Sequence, residues 1–192
     1  MTTAITTRST KGSALTFTEM DTNFDTLAIQ SLWVPVNAMR PSSSNGCALV
    51  TTVETTARRP DLNVMDFDPS SDEFAQFSVQ WPNSWDKGTL TFKAYFTVTG
   101  TNTGTVAWGL SGLALSDNDS MNTEFPTATV ATAKAHSGTS NDINVTAESG
   151  TVTVGGTPQN GDLTFFQVQR DVSADTQTGD ARLLGIQITF VI

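Results

Sequence analysis

Two hydrophobic periods divide the chain. Near the N-terminus apolar residues fall at Phe17, Met20, Phe24 and Leu27. That 3-4-3 spacing is one seam of a heptad. The opposite positions are polar: Thr22, Asn23, Asp25 and Thr26. Thr16 and Thr18 are candidate N-caps. Thr16 and Glu19 stand at capping-box spacing, and Glu19 and Asp21 fall where a helix dipole favours acids. The spacing predicts one helix over residues 16–32. Residues 1–12 are Thr-rich, with Arg8, Lys11 and Gly12, and read as an extended polar arm. A helix this short is marginal by itself. Its stripe must rest either on its own β body or on another molecule, and the second reading makes Phe17, Met20, Phe24 and Leu27 oligomerisation or attachment residues.

From Leu32 onwards the period becomes two. Residues 74–81 set Phe77, Val79 and Trp81 against Gln76, Ser78 and Gln80. Residues 89–99 give the clearest alternation, with Leu90, Phe92, Ala94, Phe96 and Val98 on one face. Val106, Trp108 and Leu110 share a face, and Gly112 marks a bulge or a close packing point. Residues 47–57 read as a weaker strand and 127–135 as a weak edge strand, 143–147 and 151–154 as short strands, and 163–170 and 182–192 as the last two. The segment 182–192 sets Leu184, Ile186, Ile188, Phe190 and Ile192 inward. Gly, Pro, Asn and Asp turns separate about eight such strands, a pattern of sandwiches and barrels. The expected fold is mainly β: an antiparallel jelly-roll-like β-sandwich preceded by one short N-terminal helix. The expected division is an arm and helix over 1–32 and a sandwich over 33–192.

Composition sharpens this. Charged residues are only 15% of the 192, and threonine and serine carry much of the polarity, as suits half-exposed strands. Ten Lys and Arg against nineteen Asp and Glu give a net charge of −9. Binding nucleic acid through a basic face is not expected. Cys47 is the one cysteine, which fits a reducing compartment. No stretch reads as a membrane span or a secretory signal.

Candidate chemistry is sparse. The single histidine, His136, sits beside a turn and reads as a solvated loop residue. With one His and one Cys, a Cys/His zinc site cannot be built, and Cys47 reads as a small buried residue. Asp117, Asn118, Asp119 and Glu124 offer oxygens for Ca²⁺ without EF-hand spacing. Asp66 and Asp68 flank Phe67 as a conceivable glycosidase pair, but a solvated acidic loop is the plainer reading. Trp81, Tyr95 and Trp108 belong in or beside strands. Trp85, between two strong strands, is the expected rim aromatic for a subunit or ligand contact. No catalytic residue, cofactor or metal is expected.

Two stretches resemble known virion proteins. Lys11-Gly12-Ser13-Ala14-Leu15-Thr16, then Glu19-Met20-Asp21-Thr22-Asn23-Phe24 and Leu27, resembles a segment near the N-termini of phage tail-fibre and baseplate-attached proteins. Trp81 to Thr89, Trp108-Gly109-Leu110, Ala114 to Asp119, Val145 to Ser149, Gly161-Asp162-Leu163 through Arg170-Asp171, and Asp180 to Leu183 resemble a C-terminal module of virion proteins of marine and cyanobacterial phages. The resemblance implies a structural virion subunit of a tailed bacteriophage, as a homotrimer. It would be a short tail fibre or baseplate-attached appendage that docks by its N-terminus. A capsid decoration or head-fibre protein is the alternative, and a glycan-binding or depolymerase module stands behind both. The implied partners are further copies of the chain, other tail, baseplate or capsid proteins, and a host-surface glycan or protein. The implied location is the virion exterior, after assembly in the host cytoplasm.

Overall fold

A computed structural model describes residues 5–192; residues 1–4 of the expected arm lie outside the described part. The elements in chain order are α1 (Arg8–Lys11), α2 (Phe17–Ala28), β1 (Ile29–Pro35), β2 (Arg40–Pro41), β3 (Thr51–Val53), β4 (Leu62–Phe67), β5 (Glu73–Gln80), β6 (Thr91–Val98) and β7 (Thr105–Val106). They continue as β8 (Trp108–Leu115), β9 (Thr129–Val130), β10 (Lys134–Ala135), β11 (Asn144–Val145), β12 (Val154–Gly155), β13 (Leu163–Arg170) and β14 (Ala181–Val191).

Helix α2 forms where the seam and the caps agree. The Thr16 hydroxyl accepts from the Glu19 amide, and the Glu19 carboxylate accepts from the Thr16 amide, which closes a capping box. The helix stops at Ala28, short of the expected residue 32. From Ile29 the chain instead pairs antiparallel with β14, Ile29 opposite Val191 through Pro35 opposite Gly185. The β-branched and aromatic residues there gain a full ladder, which outweighs another helical turn. The expected extended arm also contains one helical turn, α1, capped by Thr7.

The strands form two facing sheets. The first runs β11-β6-β14-β4-β3, with β1 also beside β14. The second runs β12-β8-β13-β5-β2, with β9 beside β8; β7 and β10 pair separately. Neighbours are antiparallel except β12 and β8, which run parallel. This is the mainly-β, jelly-roll-like sandwich that the alternation predicts.

The core lies between the inner faces. Phe92, Ala94, Phe96 and Val98 of β6 are fully buried, as are Trp108 and Leu110 of β8, Phe166 and Val168 of β13 and Phe67 of β4. Phe67 meets Trp108 edge-on at 5.0 Å between centroids, and Phe77 stacks on Phe166 at 5.1 Å. Fully burying each such side chain stabilises by ~1.5–3 kcal/mol before cavity terms. Gly112 is the close packing point expected: a Cβ there would lie 2.7 Å from the Phe166 ring.

Two strand readings need correction. The alternation of β14 breaks at a bulge between Leu183 and Gly185. Leu183 is therefore buried in place of Leu184, and inward alternation resumes at Ile186, Ile188 and Phe190. Ile192 is exposed. The acidic segment around Asp66 is not a loop but strand β4, whose Val64, Met65 and Phe67 are all buried. Among the described residues no helix is long and apolar enough to cross a membrane.

Candidate functional site

The second sheet turns its outer face away from the core, and strand register decides what stands there. Gln167 of β13 lies opposite Gln76 of β5 and opposite Ser111 of β8. Arg40 of β2 lies opposite Gln76 on the other side. Four polar side chains, Arg40, Gln76, Gln167 and Ser111, thus stand abreast on four adjacent strands. With strands ~4.8 Å apart, the row spans about 14 Å. The next outward row is Ser78, Phe165 and Leu113. Gln169 stands on the other side of Gln167, two positions along β13.

Three adjoining cavities cover this face. The largest, ≈ 570 Å³, is lined by Ser111, Gln167, Gln169, Asp171 and the segment Thr123–Ala128 with Val130. The second, ≈ 200 Å³, shares Thr123 and Phe125 with the first and adds Arg40, Gln76, Leu113 and Phe165. The third, ≈ 250 Å³, shares Arg40, Gln76 and Phe165 with the second and extends to Asn37 and Ser78. Together they form one groove across the strands, walled on the β8 side by residues 121–130. That wall explains why β8 is buried on both faces, Gly109, Ser111 and Leu113 included.

The groove is polar at its floor and apolar along its flank. Gln76, Gln167 and Gln169 are half-buried. Each amide offers two N–H donors and a carbonyl acceptor. The ion pairs of the described residues are Lys11–Glu19, Lys93–Glu148, Arg170–Asp175 and Arg182–Asp66. Arg40 is in none of them, so its charge faces the groove unmatched by the chain. The floor is held from behind by Arg170 at the end of β13. Its guanidinium donates to the Asp175 carboxylate at 2.6 and 3.3 Å and to the carbonyls of Phe67, Gly179 and Gln177 at 2.9, 3.0 and 2.6 Å. This anchor fixes the strand whose neighbouring residue, Gln169, turns outward.

The residues singled out from sequence fall elsewhere. Phe17, Phe24 and Leu27 are 83%, 69% and 56% exposed, Met20 is half-buried, and no residue of α2 is buried. Trp85 is not a rim aromatic. It is 3% exposed and packs on Trp81 at 4.8 Å, so its ring is closed to a ligand or a partner. The loop folds under because the Trp85 amide donates to Pro82 and the Asp86 amide to the Val191 carbonyl. Trp81 is also buried and donates from Nε1 to the Thr164 hydroxyl at 3.0 Å. Tyr95 lies on the outer face of the first sheet, edge-on to the half-exposed Trp33 at 5.0 Å.

His136 is buried rather than solvated, its Nδ1 3.0 Å from the Asn102 carbonyl. Cys47 is buried, and burial pushes its thiol up to about 12. Asp66 and Asp68 line a shallow depression of ≈ 330 Å³ with Glu73 and Asp180. Each of the three nearest carboxylates already serves the fold. Asp66 accepts from Arg182 at 3.2 Å, Asp68 from the Ser70 amide and hydroxyl, and Glu73 from the Asp68 amide at 2.8 Å. Burial raises Asp66 and Glu73, while the Ser70 bonds lower Asp68. Asp119 accepts from the Ser116 amide, and Asn118 donates to Asp117, so the 116–119 loop closes on itself. Among the described residues no group of three or more His, Cys, Asp or Glu side chains converges on a metal position.

Sequence reasoning missed the groove. Gln76 was placed on the wet face of its strand, but only the pairing of distant strands sets it beside Arg40, Gln167 and Ser111.

No known family profile matches the chain, and no curated protein sequence matches it. Solved structures do match in shape. One is the CBM22-1 xylan-binding domain of Paenibacillus barcinonensis Xyn10C, with 11% identity, a TM-score of 0.47, and coverage of 84% of this chain and 93% of that one. Another is the CBM36-1 domain of a multidomain xylanase from the hindgut metagenome of Trinervitermes trinervoides, with 12% identity, a TM-score of 0.43, and coverage of 83% and 96%. A third is the family 11 carbohydrate-binding module of Clostridium thermocellum in complex with a β-1,3-1,4-mixed-linked tetrasaccharide, with 8% identity, a TM-score of 0.40, and coverage of 84% and 88%. The likeness is one of β-sandwich architecture. The chains matched are carbohydrate-binding modules, not tail-fibre, baseplate or capsid proteins, and the expectation of a structural phage subunit finds no support among them.

Proposed function

We propose that the chain is a non-catalytic carbohydrate-binding module that holds a polysaccharide along the groove of the second sheet. One observation carries this reading: strand register sets Arg40, Gln76, Gln167 and Ser111 abreast on the floor of a groove flanked by Phe165 and Phe125. A sugar unit presents hydroxyls that both donate and accept, and ring faces made of C–H groups. Side-chain amides answer the first, because one group supplies donors and an acceptor together. Apolar rings answer the second. The groove crosses several strands, so it suits an extended chain better than a single sugar.

The same residues argue against turnover. Amides and hydroxyls do not titrate near neutral pH, so the row can bind and orient but cannot serve as a general acid or base. The two carboxylates of the lining, Glu124 and Asp171, lie outside the row, and Asp171 already accepts from the Ser173 amide and hydroxyl.

The test is isothermal titration against soluble xylan, mixed-linked β-1,3-1,4-glucan and a uronic-acid-containing polysaccharide, with a reducing-sugar assay alongside. Binding of at least one without sugar release is expected. Each of Gln76→Ala and Gln167→Ala removes about one neutral hydrogen bond, ~1 kcal/mol, and should weaken binding roughly fivefold. Trp33→Ala, on the opposite sheet, should leave binding unchanged. Full affinity in the Gln76→Ala/Gln167→Ala double variant, or loss of binding in Trp33→Ala alone, would move the site off this groove. Binding to none of the three would remove the reading.

A further inference from the structure

We propose that α2 is a self-association element, and that copies of this chain gather in parallel through the seam Phe17, Met20, Phe24 and Leu27. Three of the four seam residues, Phe17, Phe24 and Leu27, stand uncovered, with Met20 half-buried between them, on a helix that the chain itself caps and braces. The Thr16–Glu19 capping box fixes its first turn. Lys11 pairs with Glu19. The Asn23 side chain clasps the arm on the flank of the helix: it accepts from the Thr6 amide at 2.9 Å and donates to the Thr6 carbonyl at 2.8 Å. An exposed apolar stripe on a rigid, capped helix has lost its ordering cost before any partner arrives.

The occupant follows from spacing and charge. Heptad spacing is self-complementary: with Phe17 and Phe24 at a, and Met20 and Leu27 at d, knobs of one copy meet holes of another. The flanking e and g positions are Thr16, Asp21, Asn23 and Ala28. In a parallel pair these meet as Thr16 with Asp21 and Asn23 with Ala28, so no like charges oppose one another. An anionic lipid surface is a poor occupant, since Asp21 flanks the stripe, the helix also carries Glu19 and Asp25 with no Lys or Arg, and the chain has a net charge of −9.

The apolar surface also continues past the helix. Ile29 and Val191 face each other across strands at the helix base and are exposed, as is Ile192, whose amide donates to the Ala28 carbonyl. Apart from the half-buried Met20, the residues of seam and base are 39–83% exposed, apolar surface that a second copy would take out of water. Parallel association brings both parts together, whereas an antiparallel one would leave the bases apart. The seam and the groove share no residue and root in opposite sheets.

The experiment is a concentration series of the full chain by light scattering after size exclusion. A multiple of the 20.5 kDa chain mass is expected. Phe24→Asp with Leu27→Asp should raise the dissociation constant ~100-fold or more, with the thermal transition of the sandwich unmoved. Met20→Cys should cross-link between copies under mild oxidation, while Thr22→Cys, on the far side of the helix, should not. The buried Cys47 leaves this readout clean. A monomer throughout, an oligomer indifferent to the double substitution, or cross-linking through Thr22→Cys in preference to Met20→Cys would each overturn the proposal. Polysaccharide affinity per site is measured on the same variants, and its failure would bear on the groove alone.

Discussion

Replacing Arg170 by methionine tests how the back of the groove is held. The guanidinium is fully buried, and the carboxylate it meets, Asp175, is 3% exposed. Five hydrogen bonds leave it, two to Asp175 and three to backbone carbonyls of Phe67, Gly179 and Gln177. Methionine fills much of the space but donates nothing. It leaves one buried carboxylate without its counter-charge and three carbonyls without their donor. Breaking a buried pair by removing one partner costs ~3–5 kcal/mol. For a domain of this size each kcal/mol lowers Tm by ~2–4 °C, so a fall of about 10–15 °C is expected by calorimetry. The Arg170→Met/Asp175→Asn double variant should recover part of this, because the stranded charge is gone. Arg182→Ala breaks a pair with Asp66 whose side chains still reach solvent, 17% and 25% exposed against 0% and 3%, and should cost ~1 kcal/mol. An Arg170→Met fall no larger than that of Arg182→Ala would refute the reasoning, since burial is what separates the two pairs.

Two further outcomes follow from single side chains. Burial holds the Cys47 thiol up near 12, so a thiol reagent at pH 8 should label it only on unfolding, and labelling of the native protein at the rate of free cysteine would contradict its placement. The Glu19 carboxyl is held down at about 2, first by the hydrogen bond from Lys11 and then by the Thr16 amide. A depressed carboxyl lends stability above its unfolded value of 4.5 and loses it as pH falls from there towards 2, so the start of α2 should loosen in that window. A carbon-13 titration should place the Glu19 midpoint near 2 and that of the Lys11→Ala variant higher; a midpoint of 4.5 in the unsubstituted protein would exclude the contact.

Sequence pattern revealed the fold where one face of an element was wet and the other dry. β5, β6 and β13 alternate cleanly for that reason, and α2 showed both its seam and its cap. The pattern weakened where both faces were covered. β4 buries Val64 beside Met65 and so lost its period, and β8 is roofed by residues 121–130. The bulge in β14 inverted the reading at Leu184, because one extra residue exchanges the two faces. Trp85 and His136 looked exposed from their polar neighbours, yet backbone hydrogen bonds fold both segments inward. The groove was the least legible feature. Its floor joins positions 40, 76, 111 and 167, and no local signal states which strand will lie beside which. The resemblance to virion proteins supplied an expectation of function that the structural matches do not support.

The place of β14 has a consequence for how the molecule comes into being. The final strand of the chain lies in the middle of the first sheet, with β6 on one side and β1 and β4 on the other. Until residues 181–191 leave the ribosome, the two halves of that sheet have nothing to join them, and Phe92, Phe96 and Phe67 lack the Leu183, Ile186 and Ile188 side chains that complete their inner face. The sandwich must therefore close late, by a long-range pairing that sets a slow rate. A nascent chain stalled short of this strand would expose an oily half-core to whatever chaperone or neighbouring chain stood near.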